Sequence, residues 1–262
     1  SPAQVQDLYQ WKLDSGLSRS TVQLIHATLH KALKQAMKRG LVARNVTEAV
    51  DSPKPQKKDI RPLTPEEVKV FLSTVKGDRL ESLYILAITT GLRQGELLGL
   101  RWQDVDLNEK VVRVHQQLTR TKGGLSFSKP KNNKGRNVTL MDLAIKALMN
   151  HRERQKDEKL KMDDLWQETD LVFTSTKGTP LDASCLLKHS FRPLLKRAGL
   201  PHITFHCLRH TFATLFFSKG AHPKIVQEML GHSNISVTMD VYSHMLPNMQ
   251  GEVVRGIEEN LF

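Results

Sequence analysis

The stretch TFHCLRH, residues 204–210, carries the most specific pattern in the 262-residue sequence. On a helix, His206 and Arg209 share one face because they stand three positions apart, so together they can bind one anion. Thr204 is placed to cap this helix, and the helix N-terminus adds further positive potential. The stretch therefore predicts a helix that presents a histidine and an arginine to a phosphate-like group.

Metal binding is the competing interpretation of the same stretch. His206, Cys207 and His210 are all potential ligands. Cys207, however, is rotated off the helix face that the two histidines share, and the usual spacing of zinc ligands is absent. The pattern favours anion binding over a metal site.

Two shorter motifs flank this stretch along the chain. In GLRQGEL, residues 91–97, an arginine follows a helix stop and precedes a new helix. Its simplest interpretation is a structural corner in which Arg93 pairs with Glu96. LGHS, residues 230–233, follows another short helix, and Tyr242 comes shortly afterwards. Each of these motifs gains meaning only beside the others.

One of the three tyrosines is placed for chemistry. Tyr9 lies in the first predicted helix, and Tyr84 lies within the apolar helix LYILAI. Tyr242 follows the histidine of LGHS by ten residues. A lone tyrosine is ordinarily a half-buried packing residue, so the neighbouring motifs are what single out Tyr242.

The composition indicates a polyanionic partner. Lys and Arg total 39 against 27 Asp and Glu, which gives a formal net charge of +12 and a pI near 9.7. Each cation set against a phosphate releases a condensed counterion. Cys185 and Cys207 are too few for a disulfide framework, so we expect a reducing cytoplasm. No apolar run approaches the roughly 20 residues of a membrane span, and no signal peptide is visible.

Residues 1–52 are predicted to form a small helical domain. From Ser20, the predicted N-cap, apolar residues recur at helical spacing until Gly40 supplies a stop. His26 and His30 join several lysines on the remaining surface of this helix. Such a face is ordinarily a solvated one, and it could equally lie along a DNA groove.

A proline-rich linker leads to a second domain. The segment SPKPQKKDIRP holds three prolines and four basic residues and almost nothing to bury. Thr64, Pro65 and Glu67 then supply a cap, a proline at the first helical position and the glutamate of a capping box. We place the linker at 53–62 and the second domain at 63–246.

The second domain is predicted to be mainly α with a small antiparallel β-sheet, an α+β arrangement. The stretch 111–140 carries seven basic residues and no acidic one, which suits a phosphate backbone better than a solvated face. Turn residues divide it into β-like runs at 111–114, 125–128 and 137–140. The predicted helices are 65–76, 80–90, 142–160, 183–197, 206–218, 223–230 and 235–243.

Taken in order, GLRQGEL, HCLRH, LGH and a tyrosine shortly afterwards resemble the tyrosine recombinase (phage integrase) family. The resemblance runs from about Leu63 to Tyr242, and the helical segment before it resembles the family's core-binding domain. The family uses an arginine, a β-hairpin lysine, a His-x-x-Arg pair, a histidine or tryptophan, and a tyrosine nucleophile. The resemblance implies a site-specific DNA recombinase from a phage or an integrative mobile element.

The resemblance assigns most of the site residue by residue. Arg93 matches the first arginine, and Glu96 matches the acidic residue that supports the site. His206 and Arg209 match the His-x-x-Arg pair, and His232 matches the position after Leu-Gly.

Tyr242 matches the nucleophile, whereas the hairpin lysine has three candidates. Lys131 best fits the family pattern of a lysine, a turn and then Arg-x-Val-Pro-Leu. Thr139 stands where proline is common, which loosens the register and keeps Lys129 and Lys134 as alternatives.

Phosphodiester exchange needs these residue types. Two guanidiniums can fork onto the non-bridging oxygens of a pentacoordinate transition state, which lysine cannot do. His206 is the candidate base for the tyrosine hydroxyl, Lys131 the proton donor to the departing 5′ oxygen, and His232 a hydrogen-bond donor to the phosphate. The expected product is a 3′-phosphotyrosine and a 5′ hydroxyl. No cofactor or metal is expected, since the sequence lacks an acidic cluster for magnesium.

The resemblance implies double-stranded DNA with recombination sites as the partner. It also implies a homotetramer that exchanges strands through a Holliday junction, with accessory DNA-bending or excision factors. A type IB topoisomerase, which uses a similar residue set, and a non-catalytic DNA-binding protein of the same fold are alternatives. A metal-dependent nuclease is a third, and it predicts loss of activity in chelator. Integrases often carry a further N-terminal arm-binding domain, and a chain that starts at Ser1 fits its removal.

A C-terminal tail and a set of surface cations complete the prediction. Apolar residues in 247–262 are spaced as in a short amphipathic helix. The simplest expectation is that this helix packs on its own domain. The family resemblance favours the alternative, in which the helix docks on a neighbouring protomer. The predicted DNA contacts are Lys31, Lys34, Lys38, Arg39, Lys57, Lys58, Arg120, Lys122, Lys129, Lys134 and Arg136.

Overall fold

The computed structural model describes residues 1–54, 61–130 and 135–242. For Tyr242 it describes the backbone position in the last helix and not the side chain. The predictions made for the tail at 247–262 lie outside the described residues. So do those for Lys57, Lys58, Lys131 and Lys134.

The chain divides into two units, Ser1–Asp59 and Ile60–Phe262. In the described part of the first unit, two helices precede a single 3-10 turn at Val46–Ala49. These helices are α1, Pro2–Asp14, and α2, Arg19–Lys38. Their small core forms around Val5, Tyr9 and Val22.

Helix α2 departs from the sequence prediction in two ways. Its N-cap is Ser18, whose Oγ accepts a hydrogen bond from the Thr21 amide at 3.2 Å, so the choice of Ser20 was wrong. His26 and His30 do not join the exposed basic face. His26 Nδ1 lies 2.9 Å from the hydroxyl of the buried Tyr9, and His30 Nδ1 lies 2.9 Å from the Thr47 hydroxyl. Buried hydroxyls need such partners, and the histidines supply them.

The second unit is mainly helical, as predicted. Its first helix begins at the predicted capping box, in which the Thr64 hydroxyl and the Glu67 carboxylate each accept an amide hydrogen bond from the other residue's backbone. A π-helical turn, Leu187–Phe191, joins α7 to α8. The helices are α3 Pro65–Val75, α4 Glu81–Thr90, α5 Gln94–Leu98, α6 Asp142–Met162, α7 Ala183–Leu186, α8 Arg192–Arg197, α9 His206–Ser218, α10 Pro223–Leu230 and α11 Ile235–Tyr242.

The strands of the described residues form two antiparallel sheets rather than one. The first has the order β1-β2-β5, with Val112 opposite Val138, and the second is the hairpin β3-β4. The sequence prediction missed β1 and β3, because their short, largely polar runs show no apolar alternation. The strands are β1 Val105–Asp106, β2 Val111–Val114, β3 Gln117–Thr121, β4 Gly124–Ser128 and β5 Arg136–Thr139.

Helix α4 is the centre of the second unit and sets the place of the site. Its residues 82–90 are all buried, and it packs against both α6 and α9. It ends at Gly91 with φ +63°, where a Cβ would lie 2.5 Å from Phe212 of α9 and 2.8 Å from Leu230 of α10. Only glycine fits this approach, so the chain leaves the core between α9 and α10. Among the described residues, no helix is long and apolar enough to span a bilayer.

Candidate active site

Arg93 stands at the corner between α4 and α5. It is the N-cap of α5, and its backbone amide donates to Glu96 Oε2 at 2.9 Å. Its Nη1 donates to Glu96 Oε1 at 2.8 Å, so the pairing expected from the motif is present. The side chain of Arg93 remains 25% exposed. The corner therefore fixes one edge of the guanidinium and leaves part of it at the surface.

Glu96 binds a second arginine, Arg136, at the start of β5. Arg136 Nη1 and Nη2 donate to Glu96 Oε1 and Oε2 at 3.0 and 2.7 Å. The Glu96 side chain is fully buried, and that of Arg136 is 11% exposed. Burial alone raises the pKa of Glu96, but the hydrogen bonds and charges of Arg136 and Arg93 outweigh it and lower that pKa to about 2. Glu96 is therefore an ionised, shared anchor for two guanidiniums.

Three consecutive carbonyls at the C-terminal end of α10 accept hydrogen bonds from three arginines of three different elements. A helix leaves its last carbonyls without internal partners, and its C-terminus carries partial negative charge. The guanidiniums satisfy these carbonyls and are drawn together by them. The pairs are Arg136 Nε with Met229 O at 2.8 Å, Arg209 Nη2 with Leu230 O at 2.6 Å, and Arg93 Nη2 with Gly231 O at 3.3 Å.

Helix α9 supplies His206 and Arg209 on one face, as the spacing predicts. Arg209 is only 3% exposed, and its Nη1 also donates to the Gly91 carbonyl at 2.8 Å. The cap prediction was wrong: α9 has no side-chain cap, and the Thr204 hydroxyl lies 3.2 Å from Cys207 Sγ instead. Arg209 thus joins the end of α4 to the end of α10.

His232 follows α10 directly and is fixed by two neighbours. Its Nδ1 lies 2.8 Å from the hydroxyl of Thr238 in α11, and Thr238 is fully buried. Gln227 Nε2 donates to the His232 carbonyl at 3.0 Å. If Nδ1 accepts the Thr238 proton, the ring hydrogen is on Nε2, where it can be donated to a ligand. Helix α11 then carries the chain to Tyr242.

The histidines of the site are held in the neutral form. Burial, the electrostatic interaction with the neighbouring His206 ring, which disfavours protonation of both rings, and the charge of Arg209 lower the pKa of His210 to about 4. Burial and the charges of Arg209 and Arg93 lower the pKa of His232, also to about 4. The His206 side chain is exposed, yet partial shielding by nearby atoms and the charges of Arg209 and Arg93 also lower its pKa. A neutral imidazole can accept a proton, as a general base must.

Part of this cluster lines an open cleft of about 600 Å³. Its lining includes Arg93, Arg136, Asn137, Gly231 and His232. The partly exposed guanidinium of Arg93 and the neutral imidazole of His232 both border this cleft. Such donors suit a phosphate diester, whose single negative charge is shared by two oxygens. Within the described part of the chain, no group of three or more His, Cys, Asp or Glu side chains could hold a metal ion.

The predicted DNA contacts within the described residues are spread over several elements. Arg136 is mostly buried against Glu96, and Arg120 is exposed but forms an ion pair with Asp182. On the β3-β4 hairpin and just after it, Lys122 and Lys129 are exposed. The predicted contacts along and just after α2, all of them exposed, are Lys31, Lys34, Lys38 and Arg39.

Sequence reasoning missed three contributors to the site. It assigned Arg136 to the surface cations, although Arg136 is the arginine of the family's Arg-x-Val pattern. It also overlooked Thr238, which carries no motif and is six residues from its partner. It gave Gly231 no role beyond its place in the LGH motif. In the structure, Gly231 has a φ of +65° and turns the chain so that His232 lies beside the arginines. A glycine directly after a short helix signals such a left-handed cap.

Residues 61–249 match the phage integrase family. Among curated proteins, the chain is 36% identical to a "Tyrosine recombinase XerC-like" protein of Caldanaerobacter subterraneus subsp. tengcongensis. It is 28% identical to the "ICEBs1 integrase" of Bacillus subtilis. Each match covers 98% of this chain and 70% of the relative, so the relatives are longer.

A solved structure of a related protein is similar to this chain in fold. The Tn1549 transposon integrase in complex with transposon right end DNA matches with a TM-score of 0.83 and 25% identity. The match covers 97% of this chain and 85% of that one. The mainly helical fold with small antiparallel sheets is thereby confirmed.

Proposed function

This chain belongs to the phage integrase family and is a tyrosine-type site-specific recombinase, and on that premise we propose that it cuts and rejoins duplex DNA through a covalent 3′-phosphotyrosine at Tyr242. The observation that carries the proposal is the convergence of Arg93, Arg209 and His232 on the end of α10. Two guanidiniums beside a neutral imidazole favour an anionic ligand, and a DNA phosphate is the anion that this family handles.

The arginines bind the scissile phosphate in this proposal. Arg93 uses one nitrogen for Glu96 and another for the Gly231 carbonyl, and its partly exposed edge faces solvent. Arg209 is held on two backbone carbonyls and supplies a fixed positive charge. Because these groups are preorganised, they stabilise the added charge of the pentacoordinate transition state without reorganising.

Proton transfer is assigned to the remaining polar groups. Neutral His206 accepts the proton of the Tyr242 hydroxyl as the oxygen attacks phosphorus. The bond from phosphorus to the 5′ oxygen then breaks, and Lys131 gives a proton to that oxygen, with Lys129 and Lys134 as alternatives. His232 donates a hydrogen bond to a phosphate oxygen. The phosphotyrosine keeps the energy of the broken bond, so a 5′ hydroxyl can reverse the step without a cofactor.

Strand exchange requires more than one copy of this site. We assign a homotetramer on paired DNA sites, exchanging strands through a Holliday junction, with accessory factors that bend DNA or direct excision. The exposed cations of α2 and of the β3-β4 hairpin contact the DNA backbone, which positions the protein without reading sequence. We assign the reaction to the bacterial cytoplasm, because the two relatives named above, a recombinase and an integrase, are bacterial proteins.

The test is an SDS-resistant protein–DNA adduct. Duplexes selected for binding from a random library, nicked near the bound site, are incubated with the chain in chelator. We expect the wild type to form an adduct and Tyr242→Phe to form none while still binding DNA. No adduct on bound, nicked duplexes would contradict the proposal. Relaxation of supercoils without joining of two sites would favour a topoisomerase instead.

A further inference from the structure

Arg136 lies where three parts of the second unit meet. It stands at the start of β5, binds Glu96 of α5 through both terminal nitrogens, and binds the Met229 carbonyl of α10 through Nε. All three of its nitrogens therefore donate hydrogen bonds within the protein. A side chain so committed, and only 11% exposed, is poorly placed to hold a DNA phosphate.

We propose that Arg136 is a positioning residue that orients Arg93 through their shared partner Glu96 and fixes the end of α10 beside His232. The proposal rests on the recombinase function above, because its readout is phosphodiester cleavage. It replaces the DNA contact that the sequence predicted for Arg136.

The first step of the argument is competition for one carboxylate. Oε1 of Glu96 accepts from Nη1 of both Arg93 and Arg136, and Oε2 accepts from the Arg93 amide and from Arg136 Nη2. With Arg136 present, Arg93 needs to give Glu96 only one side-chain nitrogen. Without Arg136, the buried carboxylate either draws in the Arg93 guanidinium or takes up a proton. Both outcomes change the orientation of Arg93.

The second step is the close fit between Arg136 and the turn after α10. A Cβ on Gly231 would lie 2.8 Å from Arg136 Nη1 and 3.0 Å from its Cδ and Cζ. The guanidinium therefore packs directly on the backbone that precedes His232. Since Arg136 also binds the Met229 carbonyl, the turn is clamped from one side by this single side chain.

The third step is electrostatic and gives a distinctive readout. Removing Arg136 removes the main group that keeps the buried Glu96 ionised, so its pKa must rise. The other charged or titratable groups of the cluster are Arg93 beside Glu96, His206 and Arg209 on α9, and His232 after α10. A variant without Arg136 should lose cleavage as the pH falls, because protonated Glu96 no longer pairs with the Arg93 guanidinium as an anion.

The experiment compares Arg136→Met with Arg79→Met. Arg79 offers a matched control, since it also binds a glutamate with two nitrogens and a backbone carbonyl with the third. The dissociation constant for a labelled duplex and the single-turnover rate of adduct formation at saturating DNA are measured from pH 5 to 8. Circular dichroism checks the fold. If Arg136→Met does not fold, Arg136→Lys replaces it, because lysine keeps the positive charge but cannot bind the carboxylate with two nitrogens.

We expect Arg136→Met to slow adduct formation about 100-fold, as displacement of a catalytic group typically does, with unchanged DNA affinity. Its rate should fall further at acidic pH, and adding Glu96→Gln should remove this extra fall. Persistence of the fall in the double variant would assign it to a histidine and contradict the proposed mechanism.

Two outcomes overturn the proposal. Weaker DNA binding with a smaller salt dependence, and normal cleavage at saturating DNA, would make Arg136 a phosphate contact. Behaviour like that of Arg79→Met in both measurements would make it a structural ion pair only. A wild type that forms no adduct refutes the recombinase proposal itself, whereas a normal Arg136→Met variant refutes only this role.

Discussion

Two arginine–glutamate pairs of the second unit have the same types of partner in different surroundings. Arg79 and Arg136 each bind a carboxylate with two nitrogens and a backbone carbonyl with the third. The side chains of Arg79 and its partner Glu158 are 26% and 20% exposed. Glu96, by contrast, is fully buried and shares its carboxylate with Arg93.

The difference shows what a buried ion pair can do that a surface pair cannot. Arg79 and Glu158 join α6 to the segment before α4, and water can replace either partner at low cost. Glu96 has no contact with water, so losing a partner leaves a charge that nothing solvates. A buried pair is therefore costly to disturb and well suited to hold a third group, Arg93, in one orientation.

The largest expected difference in stability is between variants that remove the buried carboxylate and the more exposed one. Glu96→Ala should lower the free energy of unfolding by about 3–5 kcal/mol, because two guanidiniums lose their neutralising partner in the protein interior. Glu158→Ala should lower it by about 1 kcal/mol or less. Urea denaturation at neutral pH measures both. Equal losses would mean that burial does not distinguish the pairs.

A smaller effect is expected from filling the space beside Arg136. Gly231→Ala introduces a Cβ against the guanidinium at a left-handed position, and should cost about 2–3 kcal/mol. Gly220→Ala is the control, since φ there is +75° and no atom lies within 4 Å of the new Cβ. It should cost only about 1 kcal/mol. If both cost the same, the contact with Arg136 contributes nothing to stability.

The pH dependence of stability should also reveal the buried histidine of α9, His210. The folded-state pKa of His210, about 4, lies below its ordinary value, so the unfolded chain binds the proton first as pH falls. Stability present at neutral pH is thus lost between about pH 6.5 and 4, on the order of 2 kcal/mol at pH 5 for this residue. His210→Gln should flatten the dependence, whereas exposed His189→Gln should not.

Glu96 adds to this loss at lower pH. Its folded-state pKa of about 2 lies below the ordinary carboxyl value, so its contribution is complete above about pH 4.5 and disappears as pH falls towards 2. Glu96→Gln should remove that second phase of acid denaturation. A second phase that persists in this variant would have to come from another carboxylate.

The smallest expected effect concerns a hydroxyl that supports His232. Thr238→Val removes its hydrogen bond and should cost about 1 kcal/mol of stability. Thr89→Val, which removes the bond from a buried threonine to the Ile85 carbonyl, should cost the same. Only Thr238→Val should slow adduct formation, by about tenfold. Equal cleavage rates in the two variants would exclude a positioning role for Thr238.

Most helices of the second unit follow from local patterns in the amino-acid sequence. The capping box at Thr64, the stop at Gly91 and the His-x-x-Arg spacing are local patterns, and local backbone preferences were enough to predict the helices that they begin, end or occupy. The order of the four motifs then indicated the family. Strand β3 escaped prediction because its pairing with β4 is set by the hairpin and not by its own residues.

Which charges are buried, by contrast, depends on how the elements pack in the fold. In the sequence, Arg120 and Arg136 belong to one basic stretch and look equivalent. In the fold, Arg120 is exposed beside Asp182, whereas Arg136 is enclosed with Glu96, 40 residues away, and with the end of α10. Sequence spacing records which side chains share a helix face. It carries no record of which distant carbonyls and carboxylates will exclude water from a cation, and that exclusion makes Arg136 a support of the site.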